Sequence, residues 1–246
     1  MRLELTFELD KAELPQDNKS IWISYLKNVM TNCADGKFYD EYFSSSIVKD
    51  YAFSIILPKP KFFNNKVILQ SNCVKMIFSA DDRHKTGFIF YSAFIENKNK
   101  RFLLPDKNAM ILKNIRNLQE KKITSKQVIF KTVTGGGLII REHNREQNKD
   151  FYYTYADKEF GVQAERVIKQ QAVAAGFPQS KADCIRIMPL KCKKIVVKQY
   201  GIYIDATIGF FEVEADIDIL QYFYQAGMGS KHSMGYGMMD VVEQNA

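Results

Sequence analysis

The order in which the hydrophobic period changes along this chain is what most limits its fold. Leu3, Leu5, Phe7 and Leu9 alternate with Arg2, Glu4, Thr6 and Glu8, the period-two pattern of a half-buried strand. From Ser20 to Cys33 the apolar residues Trp22, Leu26, Val29 and Cys33 recur at helical spacing, with Ser20 placed to cap. A strand follows over Tyr51–Leu57, stopped by Pro58 and Pro60, and strand pieces stand at 67–69 and 74–78. Phe88–Ile95 is apolar nearly all round, which pattern alone leaves open between strand and helix. Helix is chosen because, with a last strand at Met110–Leu118, it completes the order β-α-β-β-α-β of a ferredoxin-like, two-layer unit.

The same order returns after Ile123. Strands are expected at Val128–Val133 and Leu138–Arg141 around Gly135-Gly136-Gly137, and a polar loop from His143 to Asp150. Asp157 is placed to cap a helix running through Phe160, Ala164 and Val167 to Ala175, with Gly176 as its stop. Strands at 185–188, 195–197 and 202–213 follow, with Gly201 as a turn and a bulge near Gly209-Phe210. A short helix over Asp216–Ala226 and a strand at Met238–Val242 complete the half. The expected architecture is therefore α+β. Two ferredoxin-like domains, 1–120 and 124–246, stand in tandem, the second carrying a glycine-rich loop at 226–237. A chain of 246 residues is long enough to bury such cores without disulfides.

The bases outnumber the acids, 35 to 28, and they cluster. One run lies between Lys98 and Lys131 and includes Lys113 and Arg116; another lies at 181–198 and includes Lys193 and Lys194. Two basic runs flanking the junction of the halves point to a nucleic-acid partner. The first ten residues carry Glu4, Glu8 and Asp10, unlike a signal or transit peptide, and no apolar run reaches membrane-span length. A cytoplasmic protein with no membrane partner is expected. Cys33, Cys73, Cys184 and Cys192 form no C-x-x-C pair and are expected as buried free thiols. His84, His143 and His232 lack ligand spacing, so neither metal nor other cofactor is expected. His84 and His143 read as solvated surface residues.

The most informative segment is Ala226-Gly-Met-Gly-Ser-Lys-His-Ser-Met-Gly-Tyr-Gly237, between a helix and the last strand. Its glycines allow positive φ and close backbone approach to a phosphate, while Ser230, Lys231, His232 and Ser233 add donors and charge. It is not a dinucleotide loop, which follows a strand and opens a long helix.

This segment and the Met-Met-Asp-Val-Val after it resemble the C-terminal glycine-rich loop of the CRISPR-associated RAMP proteins, and most of all the Cas6 endoribonucleases. The strand at residue 2, the strand near 132–140 and the hairpin around Gly201 and Gly209 fit as well. The resemblance implies a tandem ferredoxin-like fold and a metal-independent nuclease that cuts precursor CRISPR RNA once per repeat. The 2′-hydroxyl attacks the adjacent phosphorus, leaving a 2′,3′-cyclic phosphate and a 5′-hydroxyl. Such chemistry needs a base, an acid, positive charge on the phosphorane and in-line geometry. In many members the base is a histidine between the first helix and second strand. Here that position falls at or near Phe43, while the accompanying lysine is matched by Lys49.

The catalytic candidates are therefore Lys49, Tyr42, Tyr39 and His232, and the RNA-binding candidates are Gly227, Gly229, Ser230, Lys231, Ser233, Gly235, Lys113, Arg116, Lys193 and Lys194. The expected partner is CRISPR repeat RNA, with other effector-complex subunits as further partners and a monomeric or homodimeric protein. The alternative is a catalytically weak or inactive RNA-binding subunit using the same surface. A structural RAMP subunit often carries a thumb insertion, and none is evident here; a small-molecule-binding enzyme or regulator of the same fold would want a convergent apolar pocket with perturbed acids, which is a matter of structure rather than sequence.

Overall fold

The computed structural model describes residues 1–44 and 48–244. The first half contains β1 (Arg2–Leu9), β2 (Glu13–Pro15), α1 (Lys19–Asn32), α2 (Tyr39–Phe43), β3 (Tyr51–Ile56), β4 (Lys61–Phe62), β5 (Lys66–Ile68), β6 (Cys73–Ala80), α3 (Thr86–Glu96), β7 (Arg101–Leu104) and β8 (Asn108–Asn117). Its main sheet has the order β3-β6-β1-β8-β7, all antiparallel. Without the added edge strand β7, this is the ferredoxin-like order.

The second half contains β9 (Gln127–Thr132), β10 (Ile140–Asn144), β11 (Lys149–Tyr153), α4 (Phe160–Ala174), α5 (Gln179–Ala182), β12 (Arg186–Gln199), β13 (Ile202–Glu214), α6 (Ile217–Ala226) and β14 (Met239–Gln244). Its sheet runs β12-β13-β9-β14, the same order again.

Sequence pattern explains the packing. The inward face of β1 puts Leu3, Leu5, Phe7 and Leu9 against Trp22, Leu26 and Val29 of α1 and Phe90 and Phe94 of α3, all essentially without solvent exposure. Each such side chain stabilises the fold by roughly 1.5–3 kcal/mol relative to an exposed one. The apolar 88–95 segment is helical because one side meets this core; Phe88 and Ile95, on the other side, stay exposed. The second core joins Val128, Phe130, Phe211 and Val213 of the sheet to Phe160, Ala164, Ile168, Ile219 and Phe223 of the helices.

Several expectations need correction. The stretch 143–150 is no loop: its ends pair as the β10–β11 hairpin. The pieces 185–188 and 195–197 belong to one long strand, β12, with its irregularity between Pro189 and Cys192, opposite Gly209-Phe210. Val67–Leu69 lies outside the main sheet, in a small β2-β5-β4 sheet. Asp157 does not cap α4; its carboxylate accepts from the Thr154 N–H and hydroxyl instead. Ser20 lies inside α1 and donates to the Asp17 carbonyl. All four cysteines are free, but only Cys33 is buried. Among the described residues no helix is long and apolar enough to cross a membrane.

The halves meet through the outer face of β3 and β6, where Ala52 and Ile77 pack on Val133 and Met238. Arg2 is buried there, donating to the Met239 carbonyl (3.0 Å) and the Asp240 carboxylate (2.6 Å).

Candidate nucleic-acid interface

The glycine-rich segment begins where α6 stops at Gly227 and folds back on itself. Met228 N–H donates to Gly237 O, and Gly237 N–H to Gly137 O, both at 2.8 Å. Gln171 of α4 braces the turn, donating to Gly227 O and accepting from Gly229 N–H, both at 2.9 Å. Gly237 has φ +64, and a Cβ there would sit 2.2 Å from Met228 O, so only glycine closes this loop. Gly227, Gly229 and Gly235 are buried against Ala52, Leu138 and Phe53 respectively. Their lack of side chain serves packing against the first half and the 138–139 segment, not an open phosphate cradle as expected. The outward side of the loop is Ser230, Lys231 and Ser233, all partly exposed. Ser230 Oγ accepts from the Arg141 N–H at 3.3 Å.

His232 is only 7% exposed, with Nδ1 3.0 Å from the Tyr51 carbonyl. A carbonyl only accepts, so Nδ1 carries the hydrogen. Burial lowers its pKa against the raising effect of the Tyr51 and Ala226 carbonyls and Asp50. It is a neutral strut between the loop and β3, which corrects its assignment as an acid–base group.

Under the outward side lies a cleft of about 460 Å³ walled by Val48 and Lys49, by α4, and by the loop from Gly229 to Ser233. The structure thus brings Lys49, Ser230, Lys231 and Ser233 together. Lys49 Nζ donates to the Glu41 carbonyl at 3.1 Å. Burial lowers the Lys49 pKa, opposed by Glu41. Burial also lowers that of Lys231, assisted by Arg141 and opposed by Asp150. Tyr42 does not join them. It is a core residue whose hydroxyl donates to Thr86 Oγ1 at 3.1 Å, and burial pushes its pKa up to about 12. Tyr39 packs beside Phe43, ring centroids 5.5 Å apart, at the edge of the same core. Both tyrosines are accounted for by packing.

A larger cleft of about 700 Å³ opens between the halves on the other side of the loop. Lys131, Lys191, Lys193 and Lys198 line it with Lys19, and no Asp or Glu does. Phe62 and Tyr203, about two-thirds exposed, and Phe210 supply aromatic faces. Among the described residues none of Lys131, Lys191, Lys193 and Lys198 has an acidic partner in an ion pair. By contrast, Lys113 pairs with Glu8 (3.9 Å), Arg116 with Glu4 (3.1 Å) and Lys194 with Asp205 (2.7 Å), and none of the three lines either cleft. Of the basic residues expected outside the loop, Lys193 alone faces this cleft.

Lys19 fastens the partition between the clefts. Its Nζ donates to Gly235 O (2.5 Å) and Gly135 O (2.9 Å) and lies 4.3 Å over the Tyr236 ring. Burial brings its pKa down to about 7. Gly135, at φ +86, lies so close to β3 that a Cβ would sit 1.9 Å from Ile55 O. Sequence reasoning missed Lys19, Phe62 and Tyr203, and counted Lys191 in the second basic run without singling it out. Lys131 ended the first basic run and Lys198 the second, and an alternation count along each strand could have separated inward from outward bases.

The family described as CRISPR associated protein Cas6, C-terminal, matches residues 118–241, half of the chain. No curated protein is a significant match. A solved structure described as "An RAMP protein binding different RNA substrates" is 20% identical with a TM-score of 0.81, over 99% of this chain and 100% of that one. A Cas6-related gene product from Pyrococcus furiosus is 18% identical with a TM-score of 0.82, over 100% and 99%. A structure described as CRISPR associated protein Cas6 is 17% identical with a TM-score of 0.73, over 99% of each chain. At these identities the likeness shows a shared tandem ferredoxin-like fold.

Proposed function

This chain belongs to the Cas6 family of CRISPR-associated proteins, and on that premise we propose that it binds CRISPR repeat RNA and cuts it without a metal ion. The observation that carries the binding reading is the interdomain cleft, with its lysines, aromatic faces and lack of carboxylates. A single strand is held by phosphate charge and base stacking, which are the two tools this surface offers. In this reading the halves 1–120 and 124–246 act as two jaws, and the smaller cleft at Lys49 and Lys231 receives the scissile phosphate. Lys49 neutralises charge that grows on the phosphorane, and Lys231 and the Ser230 and Ser233 hydroxyls hold phosphate in the ground state.

The test is incubation with a cognate CRISPR repeat RNA in EDTA. One cut, leaving a 2′,3′-cyclic phosphate and a 5′-hydroxyl, is expected. Lys49→Ala should slow cleavage more than it weakens binding, whereas Lys231→Ala should weaken binding too. Cleavage that fails in EDTA and returns with Mg²⁺ would overturn the mechanism. Tight, specific binding with no cut would favour the non-catalytic RNA-binding subunit.

A further inference from the structure

Among the described residues the smaller cleft is lined by lysines and by no Asp or Glu, and its one histidine is buried. Lys49 and Lys231 are bases only once deprotonated, the His232 ring is only 7% exposed, and Tyr42 is buried outside the lining. Its rim supplies what the lining lacks. The turn from Asp81 to Lys85, between β6 and α3, is tied to the residue after Lys49: Asp81 N–H donates to the Asp50 carbonyl at 2.9 Å. His84 on that turn is 62% exposed, and its Nδ1 lies 2.7 Å from the Asp50 carboxylate, itself 13% exposed. A carboxylate only accepts, so Nδ1 carries the hydrogen and Nε2 is left as the other ring nitrogen.

The turn is also anchored to the second half. Arg83 pairs with Asp81 (2.5 Å), donates to the Ala175 carbonyl (3.3 Å) and lies 4.4 Å over the Phe177 ring. Ala174, one residue earlier, lines the cleft, as do Val48 and Lys49. His84 is thereby placed at the rim where β3 begins and α4 ends. The other exposed pair, His143–Asp150, is less suited. Asp150 is shared with Arg141 and Tyr152, and no residue of the β10–β11 hairpin lines the cleft.

We propose that His84, oriented by Asp50, is the proton-transfer group of this cleft; the proposal rests on the reading that RNA is cut here. The Nε2 lone pair takes the 2′-hydroxyl proton as O2′ bonds to phosphorus. The P–O5′ bond breaks, and the leaving oxygen takes a proton from water. The imidazolium then returns its proton to the resulting hydroxide, so nothing is consumed. Asp50 is a positioning residue: it fixes the tautomer and steadies the imidazolium. Asp50 is the charged group in contact with the ring; the other charged residues on the two segments that carry this pair are Lys49, just before β3, and Asp81, Asp82, Arg83 and Lys85 on the turn.

The experiment is single-turnover cleavage of the repeat RNA in EDTA, with RNA affinity and melting temperature measured in parallel. His84→Gln should lose roughly 10²–10⁴ in rate with affinity within about threefold. The acid limb of the wild-type pH–rate profile, set by the need for a neutral ring, should vanish in this variant. Asp50→Asn should alter that limb, which a purely structural ion pair would not do. Free imidazole should restore part of the rate to His84→Ala, independently of any loss of stability. A His84→Gln rate within threefold of wild type overturns the proposal while leaving RNA cleavage intact. A wild-type protein that binds but never cuts overturns both.

Discussion

If the interdomain cleft grips RNA, its affinity must carry a salt dependence set by the bases that face it. Four lysines, Lys131, Lys191, Lys193 and Lys198, line the cleft. Lys19 is left out of the count because its amine is spent on two carbonyls and its pKa is about 7. For single strands each neutralised phosphate contributes about −0.7 to the slope of log K against log salt, so four contacts give about −2.8. Raising salt fourfold, from about 50 to 200 mM, should then weaken binding about 50-fold. The double substitution Lys131→Ala, Lys193→Ala leaves two contacts, a slope of about −1.4 and a loss of only about sevenfold over the same range. Lys113→Ala, Arg116→Ala removes the same formal charge from residues that pair with Glu8 and Glu4, and should leave the slope close to wild type. Fluorescence anisotropy of a labelled repeat RNA across a KCl series reads all three. The reasoning fails if the Lys113–Arg116 variant flattens the slope and the Lys131–Lys193 variant does not.

Three further outcomes concern the loop and its fastenings. Above pH 7 the folded Lys19 amine is neutral while the unfolded one stays charged to about 10.4, so the unfolded state binds more protons and stability rises with pH. Lys19→Met should remove a rise of about 2 kcal/mol between pH 7 and 9, read from urea midpoints; parallel pH profiles would refute it. His232 has the depressed pKa of a buried imidazole, so the unfolded state takes up the proton first as pH falls below about 6.5 and stability is lost. His232→Gln should flatten that acid loss in thermal melts, and an unchanged acid limb would contradict the strut. Gly237→Ala should destabilise by about 2–4 kcal/mol, because the methyl meets Met228 O at a positive φ; an unshifted melting temperature would show that the loop relaxes freely.

Much of the fold was legible because local pattern and topology agree. Alternation in β1 and helical spacing around Trp22 and Leu26 placed the first elements, and the strand order then required a helix at 88–95. The losses have physical causes. The hairpin around His143 is polar from Arg141 through Asp150, so alternation gives no signal there. Residues 189–192 break the pattern of β12 at an irregularity that the strand passes through. The site was legible in its loop and in Lys49, since both sit in local motifs. It was illegible where distant segments converge. His84 reads as surface until Asp50 is placed beside it, and the loop glycines read as a cradle until β3 is seen packed against them. Charge counting located the basic runs, but only the strand faces separate Lys193 from its paired neighbour Lys194.

The two clefts lie toward opposite ends of β3, and that strand behaves as a ruler. Lys49 stands just before its first residue, Tyr51, whose carbonyl holds His232, while Ile55 and Leu57 at its far end belong to the basic cleft. From Tyr51 to Ile55 an extended chain advances about 13 Å, close to four stacked nucleotide steps at about 3.4 Å each. A strand paired along its whole length to β6 neither stretches nor slips by one residue without turning its buried face outward. For an RNA seated in both clefts, the length of β3 therefore sets how many nucleotides lie between the segment over the lysines and the phosphate at Lys49 and Lys231.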